Sequence, residues 1–211
     1  MKLVSASNNA HKLDEVRAIM PAEVQILSLH DIGFEQEIEE NGTTLEANSK
    51  IKADAVAAFI SRQHSAASLQ IDGIFADDTG LEIDALNGQP GVYTARWYLS
   101  DGEGLTVNGE RDIFAANRAK ALRELNGQTN RGAQFRTVIT LIRLSAEPSV
   151  VQVEGVVRGL IATEEYGQGG FGYDPVFIPE GYDKTFGELP AEIKNGISHR
   201  ARALQALVQI L

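Results

Sequence analysis

Two groups of carboxylates and several scattered cations carry whatever chemistry this chain performs. Glu37, Glu39, Glu40 and Glu46 fall within ten positions, and Asp77 and Asp78 stand together where the apolar stretch from Gly73 meets acid. Carboxylate oxygens are hard ligands suited to Mg²⁺, which commonly takes one or two of them together with substrate phosphates. Neighbouring side chains on an extended chain point to opposite faces, so one of Asp77 and Asp78 reaches a given ion. Taken alone, most of the acidic run reads as solvated surface. The Asp pair reads equally well as a turn bonding its own backbone.

The cations sit where an anion is favoured. SASNNAHK, Ser5 to Lys12, leads from a strand through a polar turn into a helix. Free N–H groups at a helix start attract anions, and Lys12 adds charge one turn on. The plainer reading is an N-cap by Asn8 or Asn9. The glycine spacing and Lys-Ser/Thr pair of a Walker loop are absent. Lys52 stands four residues after Asn48, on the same helical face. KNGISHRARA, Lys194 to Ala203, puts Lys194, His199 and Arg200 beside a helix start, where cations are disfavoured unless an anionic or electron-rich ligand is near. GQGGFGYDPVFIP, Gly167 to Pro179, gathers four glycines around Phe171 and then turns apolar. Glycine costs backbone entropy on ordering. A flat ligand approaching the backbone closely, with an aromatic ring to lie against, gives that cost a use.

These groups need elements to hold them. Strands are expected from Lys2 to Ala6, Val24 to Leu27 and Gly73 to Asp77. One helix carries Leu13, Val16 and Met20 on a face. A second, capped by Thr43 or Thr44, carries Ile51, Ala55, Ala58 and Phe59. Residues 61 to 69 read as a connector and Asn87 to Gly91 as a turn. A third helix is expected from Asp112 to Leu125, closed by Asn126-Gly127. Long strands from Gln134 to Leu144 and from Val150 to Ile161 suggest an antiparallel hairpin. A last helix from Ser198 to Leu211 aligns Ala201, Leu204, Val208 and Leu211. Strand–helix units mixed with a long hairpin point to an α/β fold with a mixed sheet.

The composition bounds the function. The 211 residues are 43% apolar and 23% charged, ordinary for a globular protein, with no repeat or linker dividing them. No apolar run is long enough to span a membrane, and the first apolar stretch is too short for a signal peptide. With no cysteine there is no disulfide, thiolate metal site or cysteine nucleophile. A cytoplasmic protein is therefore expected. The net charge of −10, without a basic stripe, argues against nucleic acid as a partner. Such a chain binds a polyphosphate only through a local basic pocket.

Five segments, taken in order, resemble the inosine triphosphate pyrophosphatase family. SNNAHK is similar to its Thr/Ser-x-Asn-x-x-Lys opening, and EENGTTLEANSKIKA to its acidic-Gly-x-Thr-x-x-x-Asn-x-x-x-Lys segment. FADDTGLEIDALNGQPGVYTARW resembles its Ala-Asp-Asp-Ser/Thr-Gly-Leu block, and GGFGYDPVFIP and ISHRARAL its last two signatures. The resemblance implies one two-lobed domain over residues 1–211, with a long mixed central sheet flanked by helices, a cleft between the lobes and a homodimeric state. It implies Mg²⁺-dependent cleavage of non-standard purine nucleoside triphosphates between the α and β phosphates. Carried over by position, Ser7, Asn8, Asn9, Ala10, His11 and Lys12 hold phosphates, as does Lys52. Glu39 and Asp78 bind metal, and Asp78 is also the proton acceptor. Thr79, Phe171, Gly172, Tyr173, Asp174, Lys194, His199 and Arg200 contact the nucleotide. Asn8 stands where many members have glycine, and Thr79 where many have serine.

A triphosphate brings a charge of about −4, for which Lys12, Lys52, Lys194 and Mg²⁺ compensate. Asp78 beside a cation is expected to have a depressed pKa, which makes it a weak base and the pH optimum alkaline. Phe171 stacks on any purine. Backbone N–H groups around Gly170 and Gly172, with Arg200, donate to a 6-keto oxygen that adenine lacks. Two alternatives remain open: a nucleotide-binding regulatory protein without catalysis, and a pyrophosphatase for other modified nucleotides.

Overall fold

Alternation along two parallel strands sets the architecture of the first half of the molecule. The computed structural model describes residues 1–7, 9–62, 70–101, 106–107, 110–111, 113–145 and 147–211. In it β1 (Lys2–Ser5) lies between β2 (Gln25–Leu27) and β3 (Gly73–Ile83), parallel to both, with Leu3 opposite Gly73 and Ser5 opposite Phe75. The period of two sorts their side chains between two cores. Leu3 and Phe75 pack with Val16 and Met20 of α1 (Ala10–Ile19) and with Ala203, Leu204 and Leu207 of α5 (His199–Val208). Val4, Ile74 and Ala76 pack with Ala53, Val56 and Ile60 of α2 (Leu45–Arg62). Both faces of this sheet are covered by helices, which explains why its strands read as near-continuous apolar runs.

The chain divides into two compact units. The first comprises Met1–Asp78, Thr137–Gly155 and Arg200–Leu211; the second comprises Thr79–Arg136 and Val156–His199. The second holds β4 (Pro90–Gly91), antiparallel to the end of β3, a small antiparallel ribbon of β5 (Thr106–Val107) and β6 (Glu110–Arg111), α3 (Ile113–Glu124), β9 (Phe177–Pro179) and α4 (Ala191–Ile197). Its core is aromatic: Trp97, Phe135, Tyr173, Phe177 and Phe186 with Leu81, Ile83 and Leu125. Two long strands, β7 (Gly132–Arg143) and β8 (Ser149–Ile161), are neighbours in the sheet, as expected of a hairpin. Strand order is β2-β1-β3-β7-β8-β9, with β4 also on β3. β9 runs antiparallel to β8, so the sheet is mixed.

Two elements differ from the sequence reading. β3 does not stop at the acids; it runs through Asp77 and Asp78 to Ile83. The last helix stands as expected, as α5, but a further helix not read from the sequence precedes it: Ser198, at ψ 158°, ends α4, and its N–H donates to Lys194 O at 2.9 Å before α5 begins. Thr44 proves to be the hydroxyl at the start of α2, accepting from Ala47 N at 3.1 Å. Residues 63–69, inside the expected connector, and Asp112 lie outside the described residues. Among the described residues no helix is long and apolar enough to cross a membrane.

Gly159 of β8 faces β9 so closely that a Cβ there would meet Ile178 O and lie 2.7 Å from Phe177 Cζ. Gly159→Ala is expected to destabilise the protein by about 2 kcal/mol, read as a lowered denaturant midpoint with unchanged slope.

Candidate active site

The register of β1 on β3 builds the first cluster. Ala6 N donates to Phe75 O at 2.8 Å, which sets the polar turn after β1 level with Asp77. In that turn Asn9 N donates to Ser7 Oγ at 3.2 Å, and Asn9 Oδ1 accepts from Lys12 N at 3.3 Å, making Asn9 the N-cap of α1. Ala10 and His11 open that helix; Asn8 lies outside the described residues. Following the alternation of Phe75, Asp77 points to the face of α1 and α5. Lys12 Nζ lies 2.8 Å from Asp77 Oδ2, and Arg200 Nε lies 3.5 Å from the same oxygen. The Arg200 guanidinium also donates through Nη1 to Glu15 Oε2. Burial pushes the Asp77 carboxyl up, but Lys12, Arg200 and Lys52 together outweigh it and hold the group well below the usual carboxylate range.

Asp78 points the other way, toward α2. Lys52 Nζ donates to Asp78 Oδ1 at 3.3 Å and to Glu40 Oε2 at 2.6 Å. Burial raises the Asp78 pKa, Glu40 raises it further, and Lys52, Lys12 and Asn48 offset only part of this. The protein's own groups thus raise the Asp78 carboxyl, because desolvation outweighs the neighbouring ammonium; the depression expected beside a bound cation concerns the metal-loaded site. The depressed carboxyl is its neighbour, Asp77. Burial alone would lower Lys52, but Asp78, Asp77 and Glu40 reverse that and hold it firmly protonated. Asn48, fully buried, accepts from Gly42 N at 2.8 Å and so ties the acidic loop to α2.

Asp78 Oδ2 is buried and has no hydrogen-bond partner. An orphaned carboxylate oxygen beside a second carboxylate is a donor set that fits a hard divalent cation. No group of three or more potential ligands occurs among the described residues. The protein would then supply two carboxylates and leave the remaining positions to phosphate and water, as Mg²⁺ favours. Of the acidic pair, Glu40 is the one that faces Lys52 and acts on Asp78, whereas Glu39 is exposed.

The second unit holds the glycine-rich loop. Asp174 is buried and organises it: Oδ2 accepts from Phe171 N at 2.7 Å and from Lys194 Nζ at 2.7 Å. Lys194 Nζ also sits 5.3 Å from the centre of the Phe171 ring, which is half-buried. The glycines have separate reasons. A Cβ at Gly170 would strike the Asp174 carboxylate, and one at Gly167 would strike the Gly187 backbone. Only Gly172, at φ +64°, has nothing within 4 Å of its added Cβ. Internal packing therefore explains Gly167 and Gly170, and close approach of a ligand remains open at Gly172. Tyr173 is buried, with its hydroxyl donating to Thr94 O at 3.1 Å, and desolvation pushes its phenol up. His199 stacks on Phe135 with ring centres 4.7 Å apart. Thr79 follows Asp78 in β3 and is half-buried.

The structure thus gathers Lys12, Lys52, Asp78 and Arg200 in the first unit, and Phe171, Asp174 and Lys194 in the second. Arg200, read from sequence as a donor to a base, has its guanidinium committed to Asp77 and Glu15. Asp77, Glu15, Glu40 and Asn48 join the site without having been assigned to it. Glu15 lies one helical turn beyond Lys12, but nothing in the sequence reveals that Arg200, far along the chain, is its partner.

A sequence model of the Ham1 family matches residues 3–210. A dITP/XTP pyrophosphatase of Flavobacterium johnsoniae is 43% identical over 211 residues, covering 100% of this chain and 98% of that one. Two solved structures cover the whole chain: the Ham1 protein of Staphylococcus aureus, at TM-score 0.79, 35% identity and 97% of its own length, and a HAM1 protein from Coxiella burnetii, at TM-score 0.82, 32% identity and 98%.

Asp77 and Asp78 should respond oppositely to removal of charge. In chelator, Asp77→Asn leaves Lys12 and Arg200 short of an anion and should cost about 3 kcal/mol at neutral pH. Because the folded pKa is depressed, the wild-type advantage is full above the unfolded value of ~3.9 and disappears as pH falls below it. Asp78→Asn removes a buried carboxylate whose folded pKa is raised, so it should increase the metal-free Tm at neutral pH. Paired thermal melts across pH check both signs.

Proposed function

The chain belongs to the Ham1 family, and from that membership we propose that it hydrolyses non-standard purine nucleoside triphosphates, dITP, ITP and XTP, to the monophosphate and pyrophosphate. The observation that carries this reading is Asp78: a buried carboxylate with one unpartnered oxygen, flanked by Lys52 and Glu40. Asp77 Oδ2 also lacks a well-aligned hydrogen bond but has Lys12 Nζ at 2.8 Å.

The phosphates lie against the start of α1, where Ala10 and His11 offer backbone N–H groups, and against Lys12 and Lys52. Both lysines exchange carboxylate oxygens for phosphate oxygens. Asp78 with Glu39 or Glu40 would hold a Mg²⁺ ion, which when bound would neutralise charge developing on the phosphoryl oxygens. Asp78 takes a proton from the attacking water. The bond joining the α and β phosphates breaks, and pyrophosphate leaves.

Phe171 provides the stacking surface for the purine, with Lys194 beside it. Backbone N–H groups near Gly172 donate to the 6-keto oxygen, an acceptor that adenine replaces with an amino group. Arg200 acts at one remove, keeping Asp77 charged and in place for Lys12. The family resemblance further supports a homodimer, and action on the free nucleotide pool supports a cytoplasmic location.

Purified protein with Mg²⁺ is expected to release monophosphate and pyrophosphate from dITP, ITP and XTP. The preference over dATP is roughly tenfold to a hundredfold in kcat/KM, the cost of leaving one donor or more unpaired. Chelator should abolish release. Binding of these nucleotides with no turnover under any condition would replace the enzyme with the regulatory reading. Asp78→Asn should lower kcat by about a thousandfold while dITP still binds; normal turnover in that variant would remove Asp78 as the base.

A further inference from the structure

Resting on the function proposed above, we propose that Phe114 and Arg118, one turn apart on α3, are positioning residues that hold the Phe171 ring for the incoming purine. Phe114 is 48% exposed and belongs to none of the three apolar cores. Its ring nevertheless meets Phe171 edge-on, with centroids 6.2 Å apart and planes at 69°, the geometry in which the positive edge of one ring faces the negative face of another. Arg118 follows at i+4 and so projects from the same side of the helix. Its Nη1 donates to Gly172 O at 3.0 Å, and its Nε lies 2.9 Å from Glu165 Oε2. The guanidinium thereby bridges the two ends of the loop, Glu165 before the glycines and Gly172 after Phe171.

The loop needs such a hold. Phe171 stands between Gly170, at φ +72°, and Gly172, at φ +64°, and glycine on both sides leaves a backbone free to re-aim its one aromatic ring. Asp174 fixes the Phe171 N–H from within the loop. Arg118 fixes the following carbonyl from outside it. Phe114 sets the tilt of the ring itself, with Lys194 as the other neighbour. Pre-ordering of a stacking surface lowers the entropy lost when the base arrives and improves binding without touching the reacting bonds. The consequence is confined to affinity for the base.

The test compares unmodified protein with Phe114→Ala, Phe114→Tyr and Arg118→Lys, using dITP with Mg²⁺ as substrate and inorganic tripolyphosphate, which has no base, as competitive inhibitor. Phe114→Ala is expected to raise KM for dITP by roughly two- to tenfold, the worth of one aromatic pair. Its kcat, its Tm and the inhibition constant of tripolyphosphate should stay at the unmodified values. Phe114→Tyr should restore KM. Arg118→Lys, too short to hold Gly172 O and Glu165 together, should raise KM in the same sense. An unchanged KM in Phe114→Ala overturns the proposal. So does a KM rise accompanied by equal weakening of tripolyphosphate or by a lowered Tm, because either shows general damage rather than ring placement. Absence of dITP turnover in the unmodified protein overturns the proposed function instead, a result distinct from either of these.

Discussion

The site depends on one geometric fact: Asp77 and Asp78 are consecutive residues of an extended strand. The pleat sends them to opposite faces of β3, and each face brings a different set of partners. Asp77 meets Lys12 and Arg200 and is held ionised. Asp78 meets Lys52 and, through it, Glu40, and keeps one buried oxygen unpaired. Two chemically identical carboxyls a single residue apart therefore acquire opposite pKa shifts. Separation of this kind distinguishes a carboxylate that organises a site from one that performs chemistry in it.

Stability and function pull against each other at the second of these residues. A buried carboxylate lacking a full set of hydrogen bonds costs free energy, and the chain keeps it beside a second acid that makes ionisation harder. Nothing in the packing of β3 requires an acid there: Ala76 and Ile74 fill the same face. The surroundings are nonetheless tightly built. Asn48 is wholly buried and spends its carbonyl on Gly42, which holds the acidic loop where Glu40 reaches Lys52. Glycine at position 42 is itself enforced, since a Cβ would lie 2.6 Å from that carbonyl oxygen.

Local patterns were legible in the sequence and distant pairings were not. The strands themselves, the face of α1 and the long hairpin follow from periodicity, because each is decided within a few residues; the face of α2 does not, since Ala53, Val56 and Ile60 are the buried set and Ala58 is exposed. The continuation of β3 through Asp-Asp-Thr-Gly was missed because acids and glycine are depleted in strands, and only pairing with neighbouring strands overrides that preference. Arg200 was placed near the ligand by its company with Lys194 and His199. Its partners, Asp77 and Glu15, lie more than a hundred residues earlier, beyond the reach of any local pattern. Glu39 and Glu40 are adjacent in a loop with no period, so sequence spacing cannot say which one turns inward. The glycines around Phe171 looked like a single signal, yet Gly167 and Gly170 answer to Gly187 and Asp174, and only Gly172 opens onto space.

An acidic chain that binds a polyphosphate presents an apparent contradiction, which the pairing pattern resolves. The net charge is −10, yet Lys12, Lys52 and Lys194 each stand against a carboxylate: Asp77, Glu40 with Asp78, and Asp174. For Lys52, burial alone would lower the pKa and the surrounding carboxylates reverse it. A phosphate that takes over such a lysine leaves its carboxylate without a counter-ion in a poorly solvated place, an unfavourable state unless another cation arrives. In the proposed reaction a divalent ion held by Asp78 would meet that need, while Asp77 retains Arg200. Substrate and metal then favour each other's binding by linkage, and the acid that loses Lys52 is the same one that must stay ionised to take a proton from water.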